Sequence, residues 1–338
     1  MTKILIVGHG LSGAVLSHTL LDQGLDVSCI DAQIDYSASP VGAGLINPFI
    51  GPKLNLPEDL DTCLGANEVF FRKWGKKSGL NIYKSEYLTR IFKNEKQALK
   101  WPLLEQQNSS SRFAISFISN DELKNLGITA SFGAGRTKTY RLNIQQFLKL
   151  SKEELSSQGR FEQNSFTEID GNQWDIVIFA EGYNVIKNFF FNWLPFEPAQ
   201  GEVLEFTGPK FPASSNGTWF LPQSENHFKS GSTWEHQKIN SGPTDKGRNA
   251  IYKNLDFMPI AQYKEIDHIS GIRSGSIDRN PIVGQHPEIK KYFIFNGFGS
   301  RGSTTIKRTA DFLTNFITRN IPLPAKIDLQ RFKNRSPS

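Results

Sequence analysis

Cysteine is scarce in this chain: Cys29 and Cys63 are the two it has in 338 residues. That excludes a disulfide framework, and no paired-Cys spacing indicates a metal site. The six histidines show no metal-ligand spacing either, so no metal is expected. Long hydrophobic runs are also missing, and nothing approaches the length of a membrane span. The apolar stretch from Ile4 to Leu21 has a single lysine before it, lacks a small-residue cleavage site and is interrupted by Gly8, His9 and Gly10. It is therefore not a signal peptide, and a cytoplasmic location is expected. No internal repeat or low-complexity segment is visible.

What is there is the composition of a soluble globular protein, with 38% hydrophobic and 21% charged residues. The length suggests about two domains. A net charge of +6 suits an anionic partner: cofactor phosphates, an acidic substrate or RNA. The basic residues are scattered, however, with small clusters at Arg72-Lys73 with Lys76-Lys77 and at Arg331 to Arg335. A solvated surface is the favoured reading, and nucleic acid is not.

The chain is organised around its first stretch, up to Asp31. Lys3-Ile4-Leu5-Ile6-Val7 reads as a buried parallel strand. It feeds into Gly8-His9-Gly10-Leu11-Ser12-Gly13 and a helix through Ala14 to Leu21, which Gly24 ends. Asp26 to Ile30 supplies a second strand with Asp31 at its end. Strand, G-x-G-x-x-G, helix, strand and acid is the dinucleotide-binding fingerprint in its required context. Gly8 permits the tight turn, Gly10 lets backbone approach a pyrophosphate, and Gly13 lets the helix pack on the strand. The helix N-terminus offers N–H groups and a positive dipole end to phosphates. Asp31 suits ribose hydroxyls and disfavours a 2′-phosphate, which argues against NADP. His9 lies in the phosphate turn, where a backbone role is expected.

Beyond Asp31, Tyr36 to Pro48 is a loop of small and apolar residues that lets backbone lie against a flat ring or a phosphate. Leu60, Cys63, Leu64, Phe70, Phe71 and Trp74 fall on helical spacing. From Leu80 to Lys138 the pattern becomes strand-like, at Ile82-Tyr83, Tyr87 to Phe92 and Phe113 to Phe117. Helical periodicity returns at Leu142 to Leu150, and Trp174 to Ala180 reads as a parallel strand running beside the first. Phe189 to Phe196 is an aromatic cluster read as packing or a domain interface. Gln200 to Phe206, Thr218 to Leu221 and His227 to Ser230 alternate as antiparallel strands, so a second domain is visited twice. A last apolar strand, Tyr292 to Phe295, runs into Asn296 to Gly302 and a helix from Ser303 to about Arg319. This second glycine turn before a helix is again suited to an anion. Two such turns suggest both halves of a long cofactor. Tyr140, Trp234, Tyr252 and Tyr263 are candidates to line a pocket, with packing the favoured reading.

Taken in order, GHGLSG with Asp31, AGLINP, IVIFAEG, GEVLEF, FLPQ with GSTW, GIRSGSIDRNPIVG and NGFGSRG resemble the D-amino-acid-oxidase-type FAD-dependent oxidoreductases. That superfamily includes glycine oxidase, sarcosine oxidase and the oxidase half of a tRNA wobble-uridine-modifying enzyme. The resemblance covers nearly the whole chain, and its C-terminal pair of motifs is the more specific. It implies an α/β fold: a Rossmann-type FAD-binding domain with a mainly antiparallel β-sheet substrate domain, discontinuous in sequence. The expected segments are 1–78, 139–198 and 262–338 for the first and 79–138 and 199–261 for the second.

The resemblance further implies extended FAD and oxidation of a C–N bond of an amine, such as a D-amino acid, glycine or an N-substituted glycine. Hydride would pass from the carbon beside the nitrogen to flavin N5. The implied cofactor-binding residues are Gly8, Gly10, Leu11, Ser12, Gly13, Asp31, Ala32, Ala43, Gly44, Leu45, Ala180, Gly182, Gly299, Ser300, Arg301, Gly302 and Ser303. Arg273 matches the arginine that holds a substrate carboxylate, and Arg301 is placed near the flavin's pyrimidine edge. No His lies between Ser37 and Pro48 and no Cys beyond Cys63, so noncovalent FAD is expected. Lys229 stands where glycine oxidase carries an active-site tyrosine, which departs from a glycine substrate. The competing readings are a flavoprotein acting on a modified tRNA base, an NAD-dependent dehydrogenase and a non-catalytic flavin-binding protein.

Overall fold

The computed structural model describes residues 2–335 apart from 50, 52, 108–111, 114, 168–171 and 240. In chain order, β1 (Lys3–Val7) leads through α1 (Leu11–Leu21) to β2 (Asp26–Ile30), then the short α2 (Ala38–Val41) and β3 (Leu45–Ile46). Next come α3 (Leu60–Ser78), β4 (Tyr83–Ile91), α4 (Glu95–Gln107), β5 (Ser116–Ile118), α5 (Asn120–Asn125) and β6 (Ala134–Leu142). After α6 (Ile144–Ser157) the chain forms β7 (Phe161–Glu162), β8 (Ile176–Phe179), β9 (Ala199–Thr207), β10 (Ser214–Ser215), β11 (Trp219–Pro222) and β12 (His227–Gly231). It ends with α7 (Asp245–Tyr252), β13 (Lys264–Arg273), β14 (Ile282–Gln285), β15 (Tyr292–Asn296) and α8 (Gly302–Arg319).

The strands form two sheets. A six-stranded sheet has the order β14-β15-β8-β1-β2-β7 and is parallel except for β14. Its central strand is apolar on both faces because both are covered. Ile4 and Ile6 pack with residues of α1, α3, α6 and α8, whereas Leu5 and Val7 pack with Val177, Phe179, Phe191 and Leu194 on the other side. The expected strand pairing of Trp174 to Ala180 with the first strand is met by β8 lying parallel to β1. The aromatic cluster is divided: Phe191 is fully buried in that second core layer, Phe190 and Trp193 pack on it, and Phe189 is exposed.

The nine-stranded sheet runs β13-β9-β12-β11-β10-β4-β6-β3, with β5 on β6, and is antiparallel apart from the β4–β10 pair. Two segments join it from stretches expected in the cofactor-binding domain. β13 pairs along β9 from Lys264–Thr207 to Arg273–Ala199, and β3 pairs with β6. Backbone hydrogen bonds of that length hold residues 264–273 to the second sheet, so the boundary expected at 262 cuts across its edge. β6 likewise crosses the boundary expected at 138. The two strand segments expected at Ile82-Tyr83 and Tyr87 to Phe92 are one nine-residue strand. The strand expected at Phe113 to Phe117 lies later, at Ser116–Ile118, and Ala114 of that stretch lies outside the described residues. Among the described residues no helix is long and apolar enough to cross a membrane, and no group of three or more metal-ligating side chains is found.

Candidate active site

The C-terminal ends of β1, β2 and β8 converge at Gly8. Gly8 follows β1 with φ +102°, and a Cβ there would lie 2.7 Å from the Ala180 carbonyl oxygen at the end of β8. Its N–H donates to the Ile30 carbonyl at 2.8 Å, locking the turn to β2. A Cβ on Gly13 would sit 1.8 Å from the Gly8 carbonyl oxygen. Only glycine lets α1 enter this close to the turn, so Gly13 serves the helix packing and does not line the cavity described below.

His9 donates its backbone N–H to the Asp31 carboxylate at 3.1 Å, as a backbone role in the turn requires. Its buried ring also meets the Ser151 hydroxyl at 2.8 Å, which the His18 ring contacts from the other side at 2.9 Å. Burial pushes both imidazoles down to about 4. Asp31 is raised above the usual carboxylate value by burial, opposed by its backbone hydrogen bonds.

A cavity of about 560 Å³ runs from these strand ends to the second sheet. Gly8, Gly10, Leu11, Ser12, Asp31 and Ala32 line it from the first turn, and Ala43, Gly44 and Leu45 from the following loop. Ala180 and Gly182 line it beyond β8, and Gly299, Ser300, Gly302 and Ser303 at the second turn. The loop is held against α1 by the Leu11 N–H, which donates to the Ser39 hydroxyl at 3.0 Å. Asn296 donates its side-chain amide to the Gly182 carbonyl at 2.9 Å, tying the end of β15 to the turn after β8. Two helix N-termini therefore open on one cavity, and first-turn N–H groups have no partner within their helices.

Arg301 differs from its neighbours. It is the residue before the first turn of α8 and does not line the cavity. Its charge acts instead toward Cys63 of α3, opposing the burial that pushes that thiol up to about 11.

At the second sheet the cavity is lined by Gly201, Val203, Trp219, Ser232 and Arg273. The Arg273 guanidinium donates to the Ser232 hydroxyl and, at 3.3 Å, to the Thr233 carbonyl. No carboxylate pairs with it among the described residues. Burial lowers it to about 10, which leaves it charged at neutral pH. A Cβ on Gly201 would fall 2.3 Å from its Nη2, so the facing glycine makes the room. Trp234 is half exposed, with its ring 4.7 Å from the guanidinium carbon, so it packs on Arg273 and not in a core. Tyr140 and Tyr263 are buried, and Tyr252 packs on the second sheet's core. Lys229 does not line this cavity; it lies in a second one and pairs with Glu205 at 3.1 Å.

Sequence reasoning missed three groups. Glu181 lines the cavity, accepts from the Asn188 amide at 2.6 Å and is raised by burial to about 7. Its place directly after the β8 motif is the signal that marks it. Ser274 presents a buried hydroxyl with no hydrogen-bond partner to the same cavity, and Gly201 has just been described; neither carries a local signal. The cavity's glycine turns, the acid at the end of β2 and the orphaned Ser274 hydroxyl fit a long phosphate-bearing cofactor with a polar ring.

Comparison with known proteins agrees with this geometry. The DAO family model, described as FAD dependent oxidoreductase, matches residues 3–315. A glycine oxidase of Pseudomonas aeruginosa is 20% identical over 95% of this chain and 96% of its own length. The tRNA 5-methylaminomethyl-2-thiouridine biosynthesis bifunctional protein MnmC of Legionella pneumophila is 24% identical over 96% of this chain. The chain spans 55% of that protein. Among solved structures, iminodiacetate oxidase from Chelativorans sp. BNC1 superposes with a TM-score of 0.77 at 18% identity, covering 97% of this chain and 98% of that one. L-proline dehydrogenase from P. horikoshii does so at 0.78 and 15%, covering 98% of each.

Proposed function

Since the chain belongs to the DAO family of FAD-dependent oxidoreductases, we propose that it oxidises the C–N bond of a small amine bearing a carboxylate: an amino acid or an N-substituted glycine. The observation that carries this reading is Arg273. A guanidinium largely withdrawn from water, without a protein carboxylate, is costly unless an anion completes it. A carboxylate fits it bidentately. Fold alone would not choose this substrate class.

FAD, when bound, would supply the acceptor for a hydride from the carbon beside the substrate nitrogen, and water would hydrolyse the resulting imine. The cofactor's pyrophosphate would rest on the first turn of α1, with Asp31 toward a ribose and the flavin ring's polar edge toward the turn at Gly299 to Ser303. The chain's own part is positioning. Ser232 and Thr233 fix the guanidinium plane, Gly201 leaves it space, and Trp234 covers one of its faces. A substrate carboxylate held there fixes the reacting carbon relative to the rest of the cavity, which is where orientation lowers the barrier. With both cysteines buried and no histidine in the loop at Ser37 to Pro48, FAD would be held without a covalent bond.

The test is an anaerobic titration of the purified flavoprotein with D-amino acids, glycine and N-alkyl glycines, followed by visible absorbance. Bleaching by a carboxylate-bearing amine is the expected result. A bound flavin that none of them bleaches would remove this reading. It would favour a second one, an aminomethyl substituent on a tRNA base, which the resemblance to MnmC and the net charge of +6 support. Saturable tRNA binding that weakens with salt would mark it.

A further inference from the structure

Beside the main cavity lies a second one of about 230 Å³, which shares Gly42, Ala43 and Ile144 with it as a common wall. Its lining includes Lys84, Arg141 and Lys229 and, among the described residues, no carboxylate. The placement of these cations is unusual. Lys84 and Arg141 are cross-strand partners on β4 and β6, where like charges repel. Lys229 sits mid-strand on β12, buried between Leu221 and Glu205 on the adjoining strands.

Two acids answer three cations. Glu86 accepts from Arg141 Nε at 2.8 Å and lies 3.6 Å from the Lys84 ammonium. Arg141 also donates Nη1 to the Pro222 carbonyl at 3.2 Å. Glu205 is the single acid beside Lys229, and it also takes the His227 ring at 2.8 Å. Glu205 pairs with Lys229, so the surplus positive charge lies at the buried Arg141 and the exposed Lys84, which share Glu86. A buried ammonium carries three donors, and among the described residues the Lys229 ammonium meets one acceptor, Glu205. The side-chain amides of Asn81 and Gln223 line the same space.

We propose that this second cavity is a binding site for a small monovalent anion, of halide or formate size, held by the Lys229 ammonium's remaining donors and the surplus charge at Arg141 and Lys84. The anion neutralises the excess cation and accepts the ammonium's remaining donors. The site is separate from the carboxylate position at Arg273, because Lys229 and Arg273 line different cavities.

Bromide is the probe. The full-length protein is titrated with bromide by thermal unfolding, with ionic strength held constant by bulky lactobionate. A bound anion raises stability along a saturating curve. Formate added at fixed concentration shifts that curve to higher bromide, since both occupy one site. The charge-neutral double variant Lys229→Met with Glu205→Gln binds bromide at least about tenfold more weakly. Crystals soaked in bromide show an anomalous peak beside the Lys229 ammonium, which tests the site even where the double variant does not fold. A dependence that never saturates, a curve that formate leaves in place, a variant that matches the parent or a peak elsewhere overturns the proposal. None of these readouts involves an amine or turnover, so failure here is distinct from failure of the proposed reaction.

Discussion

The half-exposed indole of Trp234 covers the guanidinium of Arg273 at 4.7 Å, although 39 residues separate them in the chain. The contact joins a loop after β12 to the last residue of β13. It shields one face of the cation while the cavity keeps its donor edge. Burial of the cation and its lack of a protein acid therefore meet at one position.

Removing that cation should cost most. Arg273→Met is expected to lower kcat/KM for a carboxylate-bearing amine by at least about thirtyfold, the low end for truncating a buried charged partner. Arg273→Lys should recover little, because an ammonium cannot reproduce the planar fork. Measuring the same variants on the parent amine without its carboxylate provides the contrast. An equal loss on both substrates would mean that Arg273 does not read the carboxylate.

Trp234→Ala should raise KM for the carboxylate substrate by about two- to thirtyfold, the range of a cation–π contact, and Trp234→Phe by less. Because the indole is half exposed, the melting temperature should barely move. Steady-state kinetics alongside thermal unfolding separates this from general destabilisation.

A methyl group at Gly201 would meet the Arg273 Nη2. Gly201→Ala is expected to displace the guanidinium and cost about a hundredfold in kcat/KM, as misplacement by about 1 Å does. FAD content, read from the ratio of visible to ultraviolet absorbance, should stay unchanged. Loss of flavin instead would place Gly201 in cofactor binding.

Behind the first glycine turn, His9 and His18 share the Ser151 hydroxyl, and burial holds both at about 4 against an ordinary 6.5. They stay neutral in the folded protein and protonate at higher pH when unfolded. Their contribution to stability is thus complete above about 6.5 and lost as pH falls toward 4, at about 1.4 kcal/mol per pH unit for each ring. Glu181, raised to about 7, works the other way across part of this range: it favours the folded state at low pH. The His contribution is therefore read as a difference. Denaturant unfolding of His9→Asn and of the parent from about pH 7 to about pH 4.5 should show the variant losing less stability on acidification. Parallel curves would dismiss the assignment.

Local sequence was enough for the frame of the cofactor-binding half. Lys3 to Asp31 carries its own strand, turn, helix and strand because each signal there acts between near neighbours: an unbroken apolar run, glycines at fixed spacing and an acid at a strand end. The same holds for the turn at Asn296 to Gly302 and the helix after it. Other features depended on pairings across long sequence separations. Residues 264–273 went to the second sheet because β9 offered a full-length partner. Arg301 is absent from the cavity lining although Ser300, Gly302 and Ser303 belong to it. Trp234 reaches Arg273 from the loop after β12, and Lys229 faces the second cavity because the register of β12 against β9 and β11 sets which face it takes. The sequence by itself determined the strand, glycine turn, helix and strand of the first segment; the tertiary structure decided which charges face which cavity, since that depends on strand partners that no local pattern names.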